Sequence, residues 1–224
     1  MTDLQRAATD FGAGESLGQA RADGPWLAIE TSTERLSLAL LHDGRLRVHE
    51  GPGGAQSSAG LLPAVQSLLG EAQLQVRDLT LVAFGRGPGS FTGLRTACAV
   101  AQGLAFGAGI PVLPVDTLMA VAEDAGPPGG GGRVLALLDA RMGEVYACPF
   151  EHRDGAWHAA SAAVVCAPEA LAEAFGWPDV LPSGWTFAGT LPPELAERLP
   201  AGPMRTASPS AAALIRLVPA LRDA

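Results

Sequence analysis

The feature that most constrains the fold of this chain is a pattern that occurs twice. Residues 26–31 form an apolar run that ends in an acidic residue, and a polar turn, a second strand pattern and an Asp-Gly hairpin signal follow. The same order returns after residue 132, where an apolar run again ends in an acid. The intervals from Glu30 to Gly44 and from Asp139 to Gly155 are similar, at 14 and 16 positions. The repeat predicts a duplicated α/β unit.

The remaining hydrophobic patterns complete the two halves. Further strands are predicted over residues 36–41, 46–49, 81–84, 110–115, 134–138, 145–150 and 185–188. Helices are predicted over residues 57–71 and 90–106, after Asp116, near 168–175 and over 208–221. Hairpins that open both halves favour an actin-like (ASKHA, ribonuclease H-like) fold with two lobes over the alternative of one doubly wound sheet.

Glycine and proline mark the predicted boundaries between units. Residues 126–132 read GPPGGGG and are predicted to link a first lobe, residues 25–125, to a smaller second lobe, residues 133–224. Residues 1–24 carry scattered charges and no apolar run of signal-peptide length, so they are predicted to be a disordered tail.

Composition excludes several classes of protein. The 224 residues are 48% hydrophobic and 17% charged, which suits a chain with a buried core. Lysine and asparagine are both absent from the sequence. The lack of lysine excludes a P-loop lysine and a Schiff-base lysine. The lack of asparagine excludes N-glycosylation and a cysteine triad that uses asparagine.

Charge and cysteine usage predict the partners and the compartment. The net charge of −8 makes direct binding of nucleic acid unfavourable, because such binding depends on basic side chains. Cys98, Cys148 and Cys166 lie in apolar surroundings and are predicted to be free thiols in a reducing compartment. Residues 96–115 lack charge and are long enough to cross a membrane, but they contain glycine, proline and glutamine. We therefore predict a buried helix followed by a buried strand, and no membrane span. The protein is predicted to be cytoplasmic.

Residues 86–95 (RGPGSFTGLR) form the most specific motif. Glycines permit a tight turn, and N–H groups at a helix start attract phosphate or carboxylate; the alternative is that the glycines only allow close packing. Glu30 and Asp139 could hold a metal for phosphoryl transfer, but no lysine clamp exists. The four histidines lack zinc-site spacing, and Ser32 and Ser90 have no evident histidine base.

Small residues recur every four positions along the predicted helix 90–106. Ala99, Gly103 and Gly107 form one series, and Gly93, Ala97 and Ala101 form another. Since glycine inside a helix costs about 1 kcal/mol relative to alanine, close packing should offset it. The neighbour is either the protein's own sheet or a partner's helix, and the leucine-rich face of helix 57–71 poses the same two alternatives.

Three segments together resemble the TsaB (YeaZ) family. They are residues 27–33 (LAIETST), 85–95 (GRGPGSFTGLR) and 138–146 (LDARMGEVY). The resemblance implies a two-lobed actin-like fold without catalysis of its own, acting in formation of tRNA threonylcarbamoyladenosine. It also implies a heterodimer with the transferase TsaD, a larger complex with the ATPase TsaE, a homodimer in isolation, and only indirect contact with tRNA.

The resemblance further implies which residues form sites. Dimerisation through the first-lobe helices assigns partner contacts to Leu61, Leu62, Val65, Leu69, Leu94, Arg95, Ala99, Gly103 and Phe106. A vestigial ligand cleft would be lined by Glu30, Thr31, Gly87, Gly89, Ser90 and Asp139. No metal and no cofactor is expected for this chain, although ATP could bind in the complex. The alternatives are a stand-alone actin-fold kinase or ATPase and, with no nucleophile–base pair to support it, a peptidase.

Overall fold

The computed structural model describes residues 24–54, 57–126, 132–178 and 180–222. The predicted tail, except its last residue, and nearly all of the predicted linker lie outside these described residues. The first lobe contains β1 (Trp26–Glu30), β2 (Arg35–His42), β3 (Arg45–Pro52), α1 (Ser57–Glu71), β4 (Leu81–Gly85), α2 (Phe91–Ala108), β5 (Val112–Val115) and α3 (Thr117–Ala125). The second lobe contains β6 (Arg133–Arg141), β7 (Glu144–Arg153), β8 (Ala156–Ala159), β9 (Val164–Cys166), α4 (Leu171–Phe175), β10 (Trp185–Gly189), α5 (Pro193–Ala196), β11 (Met204–Arg205) and α6 (Ala211–Arg222).

The two sheets share one topology. The first has the order β3-β2-β1-β4-β5 and the second has the order β8-β7-β6-β10-β11, with β9 also paired to β7. In each sheet the first three strands are antiparallel and the last two are added in parallel. The duplicated two-lobed α/β fold predicted from the repeat is confirmed.

Strand β1 is buried on both faces, which explains its unbroken apolar sequence. Because successive side chains point to opposite faces, Trp26 and Ala28 pack into one core while Leu27 and Ile29 pack into another. The central strand of the first lobe therefore joins two hydrophobic layers.

Helices α3 and α6 lie between the two sheets and contact each other. Helix α6, at the end of the second lobe, packs on β1, β2 and β4 of the first sheet, while α3 packs on β6, β7, β8 and β10 of the second. One interlobe hydrogen bond also fixes α6, since the N–H of Ala211 donates to Ser37 Oγ over 3.0 Å. This reciprocal packing joins both lobes through one core.

Helices α1 and α2 cover the outer face of the first sheet. On α1, Leu61, Val65 and Leu69 are at most 3% exposed and pack in the core formed with Leu27 and Leu38. The prediction that Leu61, Val65 and Leu69 contact a partner is therefore wrong. Their burial beneath α1 supplies the hydrophobic energy that holds the helix on its own sheet.

Several predicted boundaries need correction. Strand β3 continues to Pro52, beyond the predicted end at residue 49, because residues 51 and 52 still pair with β2. Strands β9 and β11 and helix α5 were not predicted; each is at most four residues long and too short for a periodic signal. Among the described residues, no helix has the length and hydropathy needed to cross a membrane.

The cysteines are unpaired thiols, as their positions suggested. Cys148 is buried between the sheets, and burial raises the pKa of its thiol to about 12. Cys98 and Cys166 are half-buried. A thiol with a raised pKa is unreactive, so Cys148 serves as a small apolar core residue.

Candidate functional site: an interlobe cavity and an uncharged helical face

The glycine loop places the start of α2 against the turn that follows β1. Ser90 is the N-cap residue, and its hydroxyl accepts a hydrogen bond from the N–H of Gly93. The N–H of Ser90 donates to the carbonyl oxygen of Ser32 over 2.7 Å. A Cβ atom at Gly89 would lie 2.6 Å from Ser32 Cβ, so glycine is required for this approach.

Gly93 serves the same junction one turn further along α2. A Cβ atom there would lie 2.9 Å from the carbonyl carbon of Thr31 and closer still to its oxygen. The Thr31 hydroxyl donates to the carbonyl oxygen of Gly93 over 2.7 Å, and both groups are buried. Gly93 therefore lets the helix touch the backbone of the β1–β2 turn.

A cavity of about 680 Å³ opens between the two lobes beside this junction. Hydroxyl groups from both lobes line it together with the first turn of α2. The lining residues that carry hydroxyls are Ser32, Thr33, Ser90, Thr92, Tyr146, Thr190 and Ser208. Its charged lining residues are Glu34, Arg35, Asp139 and Arg141.

Each charged side chain at the cavity forms an ion pair. Arg141 donates to Glu34 Oε1 over 2.6 Å and lies 3.4 Å from Asp139 Oδ2, so it bridges the first hairpin turn of each lobe. Arg35 pairs with Glu50 on the neighbouring strand. Most of these groups are exposed, which limits each pair to about 0–1 kcal/mol of stability.

Of the six residues predicted for the ligand cleft, three line this cavity and three do not. Gly89, Ser90 and Asp139 line it, whereas Glu30, Thr31 and Gly87 are absent from its wall. Gly87 instead packs near Leu94, and its N–H and carbonyl groups are bonded to Thr117. Glu30, Thr31 and Gly87 therefore lie outside the wall of this cavity, and their assignment to ligand binding stays a prediction.

Glu30 is a buried acid beneath the cavity floor. Its Oε1 accepts a hydrogen bond from the N–H of Ser32 over 2.6 Å, and its Oε2 has no partner. Burial raises the pKa of Glu30, and nearby groups of Ser32 and Thr31 offset only part of that rise. A Cβ atom at Gly85 would overlap this carboxyl, which explains glycine at the end of β4.

The outward surface of α1 and α2, here called the helical face, carries almost no charge. Glu71 and Arg95 are the charged residues of the two helices, which together span 33 residues. Arg95 stacks 3.9 Å above the ring of Phe91. The large apolar side chains of the face, with their exposed fractions, are Leu62 at 47%, Phe91 at 68% and Phe106 at 93%.

The small residues of α2 divide between core and helical face. Gly93, Ala97 and Ala101 are buried, whereas Ala99, Gly103 and Gly107 are exposed. Cβ atoms built on Gly103 and Gly107 would meet nothing within 4 Å. These two glycines line a groove of about 600 Å³ that is bounded by α1, α2 and residues 74–77. The first series packs against the protein itself, and the second leaves an indentation in the surface.

The nine residues predicted for partner contacts are thus divided by the structure. Leu62, Arg95, Ala99, Gly103 and Phe106 are exposed on the helical face, and Leu94 is half-buried. The other three are the core residues already corrected. Within the described parts of the chain, no group of three or more His, Cys, Asp or Glu side chains could hold a metal ion.

Comparison with known proteins identifies the family. Residues 47–182 match the family described as TsaD: tRNA N6-adenosine threonylcarbamoyltransferase. The tRNA threonylcarbamoyladenosine biosynthesis protein TsaB of Escherichia coli (strain K12) is 41% identical over 165 residues, covering 73% of this chain and 70% of that protein. The chain belongs to the TsaB family. The TsaB of Bacillus subtilis (strain 168) is 33% identical over 130 residues, covering 58% of this chain and 56% of that protein.

Solved structures agree with membership of the TsaB family. YeaZ from Pseudomonas aeruginosa superposes with a TM-score of 0.75 at 39% identity and covers 87% of this chain and 90% of its own. A protein described as similar to the peptidase YeaZ from Pseudomonas aeruginosa gives a TM-score of 0.76 with the same identity and coverage.

The three segments that resemble TsaB meet at the interlobe cavity. Residues 27–33 form β1 and its turn, residues 85–95 form the glycine loop and the start of α2, and residues 138–146 form the β6–β7 turn. Four further lining residues were not predicted from the sequence: Arg35, Arg141, Tyr146 and Thr190. Only Arg141 and Tyr146 belong to a recognised segment, so position in a TsaB motif is the signal that could have found them.

Proposed function

We propose that this chain is a non-catalytic subunit that binds the threonylcarbamoyltransferase TsaD and activates it. Membership of the TsaB family supports a role in biosynthesis of tRNA threonylcarbamoyladenosine. The observation that carries the finer proposal is the helical face, which exposes the large apolar side chains of Leu62, Phe91 and Phe106. Exposed apolar patches of this kind mark protein–protein contacts.

Phe106 is the expected centre of that contact. Its ring is 93% exposed and lies one helical turn from the open surface above Gly103. Burial of an aromatic side chain in a partner's pocket is the commonest source of strong interface energy. The near absence of charge on α1 and α2 also lowers the cost of removing this surface from water.

TsaD is the proposed partner because residues 47–182 match the TsaD family. The matched region includes both α1 and α2, so a TsaD chain is expected to present an equivalent helix pair. Two related helix pairs can pack across an approximate twofold axis, as in most dimers. The same reasoning supports a homodimer of the isolated chain. We expect TsaE to join only the larger complex.

The acidic groups at the cavity support the non-catalytic part of the proposal. Phosphoryl transfer uses a carboxylate that holds a metal ion and a cation that clamps the phosphates. Glu30 lies beneath the cavity wall, and both Asp139 and Glu34 are paired with Arg141. The net charge of −8 makes direct binding of tRNA unfavourable, so we expect the contact with tRNA to be made through TsaD.

A binding experiment with two matched variants tests the proposal. Phe106→Asp places a charge on the helical face, while Val165→Asp places one on an apolar residue of β9 that is 52% exposed. We expect Phe106→Asp to weaken binding to TsaD at least tenfold in analytical ultracentrifugation, because buried unpaired charge is strongly unfavourable. Val165→Asp should bind as the wild type does.

Two results would count against the proposal. Wild-type affinity of Phe106→Asp for TsaD would remove the helical face from the interface. Hydrolysis of Mg-ATP by the isolated chain, with micromolar affinity in calorimetry, would favour the stand-alone kinase or ATPase instead.

A further inference from the structure

We propose that the outer edge of β3 binds an extended acidic segment of a partner protein, which adds to the five-stranded first sheet as a further strand. The segment carries carboxylates at alternate positions, opposite basic side chains of β3. This site lies on a sheet edge rather than on the helical face, and it does not depend on the binding of TsaD. The proposal rests on a free strand edge, a row of basic side chains, and the lack of internal acids that neutralise them.

Strand β3 is the last strand on one side of the first sheet. Over the described residues it pairs only with β2, from Arg45 opposite His42 to Pro52 opposite Arg35. Alternate backbone N–H and C=O groups of an edge strand point away from its neighbour, and an added strand can bond to them. The eight residues of β3 are long enough for an ordinary strand pairing. The edge therefore offers a backbone template for an extended peptide.

Basic side chains occupy one face of this edge. Arg45, Arg47 and His49, here called the basic row, alternate along β3 and project to the same side at intervals of about 7 Å. Arg47 lies opposite Leu40, which packs in the core under α1, so the basic row is on the α1 side of the sheet. Arg45 and His49 are exposed, and Arg47 is half-buried. An added strand with acidic residues at the same spacing would face each of them.

The two arginines of the basic row are not neutralised by the described part of the chain. Most arginines there lie within 4.0 Å of a carboxylate, but Arg45 and Arg47 form no such pair. The Nη1 group of Arg47 is buried and makes no hydrogen bond, so no protein acceptor offsets the burial of part of this charge. On a chain with a net charge of −8, this isolated basic row is electrostatically complementary to an acidic segment.

The opposite face of β3 determines which residues fit between the acids. Val48 is 42% exposed there, and Glu50 is paired with Arg35. An apolar side chain opposite Val48 would bury apolar surface, so the pattern that fits is an alternation of acidic and apolar residues. A second copy of this chain fits poorly, because antiparallel pairing of two β3 strands would set one basic row opposite the other, and like charges in such positions are destabilising.

The test uses the full chain and short synthetic peptides in the absence of TsaD. The acidic peptide alternates glutamate with valine or threonine, and its counterpart has lysine in place of each glutamate. Each peptide is titrated while backbone amides are followed by NMR. With the acidic peptide we expect saturable shifts and slower hydrogen exchange at β3, and weaker binding at high salt. With the lysine peptide we expect no shifts at β3.

Paired charge variants separate this site from general attraction of acids. Arg45→Gln combined with Arg47→Gln removes two charges from the basic row. Arg133→Gln combined with Arg153→Gln removes two charges from the second sheet and is the matched control. Loss of two surface charge pairs should weaken binding of the acidic peptide about five- to tenfold. The control should bind the peptide as the wild type does.

A third peptide tests whether the backbone takes part. Methylation of alternate peptide nitrogens of the acidic peptide removes the N–H donors that strand pairing needs, so this peptide should not bind.

Five results would overturn the proposal. They are the absence of shifts at β3 with the acidic peptide, equal binding of the lysine peptide, equal binding of the methylated peptide, wild-type affinity of the variant without the two arginines of the basic row, and concentration-dependent protection of β3 without any peptide. The last result would mean that a second copy of the chain covers the edge. None of these outcomes bears on TsaD binding, which is decided by Phe106→Asp.

Discussion

Replacement of Gly93 by alanine should destabilise the protein, although alanine is the better helix former. Gly93 lies in the first turn of α2, where an added Cβ would be 2.9 Å from the carbonyl carbon of Thr31 and closer to its oxygen. Both neighbours are backbone atoms, which cannot rotate away as a side chain could. The start of α2 or the turn after β1 must therefore move.

The expected magnitude follows from three contributions. Overpacking of a core contact costs about 1–3 kcal/mol, and alanine returns about 1 kcal/mol of helix propensity. The shift also threatens the buried 2.7 Å hydrogen bond from the Thr31 hydroxyl to Gly93, which adds about 1–3 kcal/mol if lost. We expect a net loss of about 2 kcal/mol, or about 4–8 °C in melting temperature for a chain of this size.

Gly103→Ala is the matched control in the same helix. A Cβ atom at Gly103 meets nothing within 4 Å, so only the propensity gain of about 1 kcal/mol remains. The two substitutions should change the urea midpoint in opposite directions when both are measured at low protein concentration. Equal changes of the same sign would refute the argument from close backbone approach.

Three further changes test other parts of the structure. Leu61→Ala should lower the free energy of unfolding by about 2–5 kcal/mol in urea titrations, since this side chain is fully buried. Leu62→Ala, at a neighbour that is 47% exposed, should change the free energy of unfolding by about 0.5 kcal/mol or less but weaken association in sedimentation. A larger loss of stability in Leu62→Ala than in Leu61→Ala, with weaker association in Leu61→Ala, would place Leu61 in the interface. Glu30→Gln removes a carboxyl whose pKa is raised on folding. As the pH rises from about 4.5, this carboxyl ionises first in the unfolded chain. The free energy of unfolding of the wild type, relative to that of the variant, should therefore fall until the pH passes the folded-state pKa. Urea midpoints of both proteins between pH 4.5 and 8 measure this difference, and a constant difference would mean that Glu30 titrates normally.

Local signals in the sequence were enough to predict most of the fold. Asp116 and Ser90 both act as N-caps at the predicted places, and the Asp-Gly hairpin signals lie at true turns. These features depend on neighbouring residues only. The repeat of hairpin, strand and helix then predicted a duplicated unit, and the two sheets do share one strand order.

The site was harder to predict because it depends on contacts between distant residues. Glu30 ends a strand, as a ligand-binding acid often does, but the absence of a side chain at Gly85 lets it fold beneath the cavity. Arg141 meets Glu34 across 107 positions of sequence. On α1, apolar residues occur on two sides of the helix, so periodicity alone did not separate Leu61 from Leu62.

Reconstituted TsaD activity tests the central claim most directly. Formation of threonylcarbamoyladenosine in tRNA is measured with TsaD and the remaining components held constant, while this chain is omitted, added as wild type, or added as Phe106→Asp. The account predicts product only when TsaD receives a chain with an intact helical face, and no product from this chain without TsaD. Equal rates with and without the chain, or full activation by Phe106→Asp, would contradict it.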